Sequence, residues 1–161
     1  MIKELGISEL ERAAGVIRRS FATVALEFDL TEQNCPMHAA FSTTAERLEQ
    51  RLGSSWRLYG LCKEGYIIGC AAFSKTEDTG NIYEIHNLAV LPEHRHRGYG
   101  KRLLDFCAEE IRGFGGRRIV IGIIEENTVL KEWYAEYGFA HTGTKKFDFF
   151  PFTCGYMEYD L

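Results

Sequence analysis

The sequence predicts a mixed α/β fold: a mostly antiparallel central sheet flanked by helices on both faces. Three observations predict it. Amphipathic helical segments alternate with strand-like runs. Two of the runs, 56–63 and 66–74, are joined by a Lys-Glu-Gly turn and must lie antiparallel. A strand, a glycine loop, a helix and a further strand over 82–124 form one parallel β-α-β crossover. With 161 residues the chain is expected to be one domain, 1–161, with room for a sizeable core.

Each element has its own signal. Residues 2–5 predict a short first strand. Ser8 caps a helix reaching about Leu26, with Glu11 three residues on as its capping-box partner. Residues 27–43 are irregular, because Asp29, Thr31, Asn34 and Pro36 break the periodicity. Residues 44–52 form a short helix closed by Gly53. The hairpin strands follow, then a polar loop over 75–81 and a strand over 82–91 stopped by Pro92. The next helix runs to about Arg112, with Leu103, Leu104, Cys107, Ala108 and Ile111 on one face, and ends at Gly113, Gly115 and Gly116. Residues 118–124 are almost unbroken aliphatics, as expected of a strand buried at a sheet centre. A helix over 128–137, closed by Gly138, and two strands over about 139–148 and 153–160 complete the order.

Composition narrows the class. Apolar residues make up 45% and charged residues 26%, as in a soluble globular protein. The net charge of −4 argues against a nucleic-acid binder, which needs a basic face. No apolar run approaches a membrane span, and the N-terminal residues lack a signal-peptide pattern. The five cysteines are scattered, and none pairs at metal-ligand spacing. Cys62, Cys70 and Cys107 sit in apolar contexts and read as buried thiols. The expectation is a cytoplasmic protein without disulfides, metal or membrane partner.

Against that acidic background a basic cluster stands out. His94, Arg95, His96, Arg97, Lys101 and Arg102 crowd into nine positions, around Gly98 and Gly100, where a strand gives way to a helix. The free N–H groups of a first helical turn, with the helix dipole behind them, favour an anion. Glycines remove the Cβ atoms that would hold a ligand away. Arg95, His96, Arg97, Gly98, Tyr99, Gly100 and Lys101 are therefore the candidate phosphate-contacting residues.

Two blocks of sequence carry a resemblance. Arg95, Gly98 and Gly100 match the Arg/Gln-x-x-Gly-x-Gly/Ala signature of the GCN5-related N-acetyltransferase (GNAT) family, preceded by Leu88-Ala89-Val90-x-Pro92. Downstream, Asn127 followed by Trp133-Tyr134-x-x-Tyr137-Gly138-Phe139 is similar to the family's Asn…Leu-Tyr-x-x-x-Gly-Phe block. The blocks cover roughly residues 82–142, and the order of elements matches over the whole chain. One such motif alone would be weak; two at the right spacing and in the right elements are specific.

The resemblance implies acetyl-coenzyme A as donor, with no metal, and a primary amine, small molecule or peptide, as acceptor. It places the coenzyme's pyrophosphate at the glycine loop and its pantetheine arm along the backbone of Asn87, Leu88, Ala89 and Val90. In the family that strand carries a bulge and splays from its parallel neighbour, which admits the ligand. Tyr134 falls where the family places a tyrosine near the coenzyme A sulfur, a candidate general acid, with Tyr137 as the rival one turn away. Asn127, seven residues earlier, lies on nearly the same helix face. Glu84 stands where many members place a carboxylate facing the acceptor, and His86 shares its strand parity if no bulge intervenes. An imidazole of ordinary pKa suits proton transfer near neutrality, so Glu84, His86 or a water between them is the candidate base.

Competing readings of the loop fail on particular residues. A dinucleotide fingerprint needs a third glycine where Leu103 stands, and the strand ends about six residues too early. A P-loop needs Ser or Thr where Arg102 stands. A noncatalytic coenzyme A-binding or sensing module on the same fold is the alternative function. In the family, 27–43 and 148–153 wall the acceptor site; here they carry Glu27, Asp29, Phe149, Phe150, Pro151 and Phe152. An acidic, aromatic wall would suit a cationic amine with an apolar body, although the same aromatics could instead pack the core or a homodimer interface.

Overall fold

The structure is a computed structural model that describes residues 1–53, 55–77 and 80–161. Its centre is a seven-stranded sheet in the order β1-β2-β3-β4-β5-β7-β6. The strands are β1 (Ile2–Glu4), β2 (Trp56–Lys63), β3 (Tyr66–Lys75), β4 (Ile82–Val90), β5 (Arg118–Ile124), β6 (Ala140–Lys146) and β7 (Thr153–Asp160). Every neighbouring pair is antiparallel except β4 and β5. The helices are α1 (Leu10–Glu27), α2 (Ala39–Ser42), α3 (Ala45–Arg51), α4 (Tyr99–Gly113) and α5 (Thr128–Tyr137), with short 3-10 turns at Ile7–Glu9 and Pro92–His94.

Local chemistry explains most boundaries. The β2–β3 turn places Glu64 and Gly65 at φ 52° and 84°, the paired left-handed conformation that suits the twist of a tight hairpin. The expected polar loop over 75–81 is shortened by β3 reaching Lys75, and its residues 78 and 79 lie outside the described residues. The first helix starts differently from expectation. Ser8 lies inside a 3-10 turn, and the carboxylate that closes the box is Glu9, which accepts the Gly6 N–H at 3.1 Å, rather than Glu11. Segment 27–43 is also not wholly irregular, since His38 Nδ1 accepts from the Ala40 N–H and starts the one-turn α2.

β3 is buried on both faces from Ile67 to Phe73, so helices must cover both. α4 covers one face, with Phe106 edge-on to Tyr59 at 5.0 Å, and α1 packs on β3 and β4 from the other. Leu10, Ile17, Leu58, Leu103, Leu104, Ile111 and Ile119 fill the core between them. Cys70 and Cys107 are buried thiols as expected, whereas Cys62 is only half-buried.

β5 departs from its reading as a doubly buried strand. Ile119, Ile121 and Ile123 are buried, but Val120 is half-exposed and Gly122 exposed. The helices that cover the far face stop short of β5, so its aliphatic composition hides one open side. Glu84 of β4 is the register partner of Val120, which in turn faces Glu158 of β7. An open polar surface therefore lies on the sheet beside the end of the β4–β5 pairing. Among the described residues, no helix is long and apolar enough to cross a membrane.

Candidate active site

The site begins where two parallel strands part. β4 and β5 pair only at Ile82↔Arg118, Tyr83↔Ile119 and Glu84↔Val120. On its other edge β4 slips register, with Ala72 opposite His86 but Cys70 opposite Ala89, so β4 carries an extra residue. Asn87 takes it up at φ 52°, a left-handed conformation that asparagine tolerates better than most side chains. Gly69 permits the bulged strand to come close, because a Cβ there would lie 2.8 Å from the Ala89 carbonyl oxygen. The result is the splay expected along Leu88, Ala89 and Val90, with β5 continuing against β7 alone.

The glycine loop sits at the mouth of that gap. His96 at φ 60° and Gly98 at φ 80° turn the chain, and α4 begins at Tyr99. The first bond of the helix runs from the Arg102 N–H to the Gly98 carbonyl. The N–H groups of residues 96–101 therefore donate to no acceptor among the described residues, an array aimed at an anion. Gly98 is needed for its backbone angle. At Gly100 a Cβ would touch the Trp133 ring of α5 at 3.5 Å, an ordinary contact, which places α5 against the start of α4.

The basic side chains divide their labour. Arg95 does not face the anion site: Nε donates to the Val90 carbonyl (3.1 Å), Nη1 to Thr23 Oγ1 (2.9 Å) and Nη2 to the Ser20 carbonyl (2.7 Å). Its part is to fasten the loop to β4 and α1. Lys101 is exposed and pairs with Asp105 at 2.7 Å. Arg97 is exposed and makes no bond to the described residues.

α5 brings the second motif to the gap. Asn127 is its N-cap, with Oδ1 accepting from the Leu130 N–H at 3.2 Å, so its oxygen is engaged in starting the helix. Tyr134 is buried between Trp133 (4.9 Å) and Phe139 (5.2 Å), and its hydroxyl bonds to no described residue. Burial, helped by the nearby Cys107, pushes its phenol above the ordinary range, so it stays protonated and offers an O–H. The rival Tyr137 is committed elsewhere: its hydroxyl donates to Asp105 Oδ1 at 2.8 Å.

Glu84 and His86 keep the same parity, because the bulge falls after them; Glu84 Oε2 lies 3.9 Å from His86 Nε2. That nitrogen is also 2.8 Å from Ser74 Oγ. Burial, and then the positive charge of Arg51, depress His86 to about 4. The imidazole is therefore neutral at physiological pH and too weak a base to suit the role its ordinary pKa suggested. Burial raises Glu84 instead. A cleft of about 460 Å³ opens beside Glu84, lined by Val120, Thr142, Thr144, Tyr156 and Glu158.

The depressed imidazole predicts a pH signature in stability. Its folded pKa of about 4 lies below the ordinary 6.5, so the folded state binds fewer protons than the unfolded state between these values. His86 thus costs no stability above pH 6.5 and an increasing amount as pH falls to 4. At about 1.4 kcal/mol per pH unit, the difference from a His86→Gln variant should reach about 2–3 kcal/mol near pH 4. Urea unfolding of both proteins across this range measures it, and parallel curves would contradict it.

Of the two readings of the 148–153 aromatics, an acceptor lining or packing against the core, the structure shows packing for Phe150 and Phe152. Glu27 and Asp29 are exposed. Phe150 and Phe152 stack at 5.0 Å and pack on a small cluster of Ala25, Leu30, Cys35 and Ile124. They hold the β6–β7 loop onto the end of α1, whereas Phe149 and Pro151 stand exposed. Sequence reasoning named Asn87 only for its backbone, and passed over Ser74, Tyr156 and Glu158, as well as Arg47 and Arg51 of α3. The i, i+4 spacing of the two arginines was the signal that could have found them.

Comparison with known proteins agrees with this geometry. The chain is 41% identical over 76 residues to an amino-acid acetyltransferase of Neisseria meningitidis, covering 47% of this chain and 16% of that protein. It is 34% identical over 84 residues to an amino-acid acetyltransferase of Pseudomonas aeruginosa, covering 52% and 18%. The chain thus spans under a fifth of these relatives' length. The fold matches PaiA N-acetyltransferase from Thermoplasma acidophilum, solved in complex with coenzyme A. That match has a TM-score of 0.81 and 20% identity, covering 100% of this chain and 98% of the other. It also matches ribosomal-protein-S18-alanine N-acetyltransferase from Escherichia coli, with a TM-score of 0.78 and 16% identity, covering 99% and 92%. The Acetyltransferase (GNAT) family model matches residues 25–139, which contain the splayed strands, the glycine loop and α5, and the chain belongs to that family.

Proposed function

We propose that residues 1–161 act as one acetyltransferase domain that moves the acetyl group of acetyl-coenzyme A to a primary amine in a ternary complex. The observation that carries this reading is the pairing of an unsatisfied N–H array at residues 96–101 with an opened β4 edge and a buried, unbonded phenol at one gap. The N–H array and the basic loop suit a pyrophosphate. The open edge at Leu88, Ala89 and Val90 suits the amides of a pantetheine arm, and Arg97 and Lys101 lie where they can meet phosphate charge. The PaiA enzyme of similar fold was solved with coenzyme A.

When bound, the donor supplies an electrophilic thioester carbonyl and a sulfur leaving group. Glu84, raised toward the working pH, takes the proton from the acceptor ammonium, directly or through a water. The freed nitrogen lone pair forms the C–N bond as the C–S bond breaks. Tyr134 gives its proton to the departing sulfur, and the second proton of the acylated nitrogen passes to the tyrosinate, which leaves a neutral amide and restores the phenol. His86, held by Ser74 and neutral, positions Glu84 rather than acting as base.

The test is an acetyl-transfer screen over amino acids, polyamines, aminoglycosides and peptide amines, read by coenzyme A release. Transfer to at least one class is expected, with kcat lowered about 100-fold in Glu84→Gln and the acidic limb of its pH–rate profile flattened. Tight acetyl-coenzyme A binding by calorimetry without transfer to any class would favour a sensing module instead.

A further inference from the structure

A small recess on the α1–α3 side of the gap has a composition that the transfer chemistry alone does not require. It holds about 90 Å³ and is lined by Ser42, Thr43, Arg47, Arg51 and Asn87 among others. Among the described residues no carboxylate lines it. The hydroxyls of Ser42 and Thr43 already donate to the carbonyls of Met37 and Ala39. The remaining donors are the guanidinium groups of Arg47 and Arg51 and the Asn87 amide.

Those arginines are two of several in the chain with no carboxylate partner among the described residues, and they differ from the exposed Arg97 in lining one recess together. Arg19, Arg57, Arg112 and Arg118 each pair with a carboxylate at 2.5–3.3 Å. Arg47 and Arg51 make no ion pair among the described residues, although Glu46 and Glu49 share their helix. Four residues apart, they lie on one helix face, and Asn87 completes the recess from the bulge. A guanidinium fork matches the two oxygens of a carboxylate, and the volume suits a head group of a few atoms rather than a sugar.

Position adds direction. Asn87 follows His86 in the chain, and the charge of Arg51 is felt at the His86 ring. On the far side of His86 are Glu84 and the cleft it shares with Glu158 and Tyr156. Charge therefore runs from cationic at α3 to anionic at β4 and β7, across the proposed reaction centre. We infer that the recess of Arg47, Arg51 and Asn87 is an acceptor subsite for a carboxylate, and that the acceptor is a small zwitterionic amine of the amino-acid class. Its ammonium lies toward Glu84 and its carboxylate toward α3. This rests on the transferase reading above.

The test compares acetyl transfer to free L-amino acids, their α-carboxamides, the corresponding decarboxylated amines and short peptides. The free acids should be preferred. Arg51→Gln and Arg47→Gln should each cut the acid-to-carboxamide ratio of kcat/KM about 10–100-fold, and Arg51→Lys should recover only part of it. Equal use of acid and carboxamide, transfer confined to carboxylate-free amines or to peptides, or an unchanged ratio in both glutamine variants would overturn the subsite and leave the transferase reading intact. No transfer to any amine would overturn the transferase reading, and this one with it.

Discussion

Replacing Tyr134 with Phe should lower kcat by about 100- to 1,000-fold at saturating donor and acceptor, with the folded state little changed. The two halves of this expectation come from different observations. The ring packs between Trp133 and Phe139, and Phe retains that packing. The hydroxyl bonds to no described residue, so removing it orphans no partner. What is lost is the proton for the departing sulfur, a group that burial has kept protonated. Tyr137→Phe supplies the contrast. It takes a donor from Asp105, should cost about 1 kcal/mol of stability, and should leave turnover within a few-fold. Steady-state kinetics with urea unfolding of both variants separates the roles. Equal kcat in Tyr134→Phe and the parent would remove Tyr134 from the mechanism.

The distinction between these two tyrosines shows where sequence reasoning stopped. Motif position singled out Tyr134, but only the Tyr137–Asp105 bond, made between α5 and α4, shows why its neighbour is not equivalent. Elements with strong local signals were legible: the 56–75 hairpin, the α4 stripe and the helix ending at Gly138 all follow from periodicity and turn chemistry. Local signals also misled. Ser8 and Glu11 have capping-box spacing, yet Glu9 closes on Gly6, because nothing in the spacing says which turn will be 3-10. The aliphatic run of β5 reads as buried on both faces, while the open side beside Glu84 depends on where α1–α3 end. His86 is the sharpest case. Its ordinary pKa made it a candidate base, and burial, which no spacing in the sequence shows, depresses it to about 4. Likewise, 27–43 carried acids that face solvent, and the cations that share a recess with the Asn87 bulge, Arg47 and Arg51, came from a helix outside both motifs.

The same lesson applied to Arg95 gives the second large effect. Its place in the glycine-loop motif suggests a phosphate ligand, whereas its guanidinium holds Val90, Ser20 and Thr23. A charged group making three such bonds, half-buried between a loop, a strand and a helix, should contribute about 2–4 kcal/mol to the ligand-free protein after allowing for partial exposure and non-additivity. Arg95→Gln should therefore lower the thermal midpoint before any ligand is added. It should also weaken coenzyme A binding about tenfold or more, because the N–H groups of 96–101 lose the anchor that sets their direction. Arg95→Lys restores charge but not the fork, and should recover little of either. Arg97→Gln is the opposite case: an exposed cation without a partner among the described residues, whose loss should leave the ligand-free protein unchanged. Its effect on coenzyme A binding should shrink as salt rises, as expected of a screened phosphate contact. If Arg95 were instead a ligand, the two variants would behave alike, both stable without coenzyme and both salt-sensitive with it. Thermal melts of the free proteins, paired with calorimetric titrations of coenzyme A at two salt concentrations, decide between an arginine that touches the donor and one that builds the seat the donor occupies.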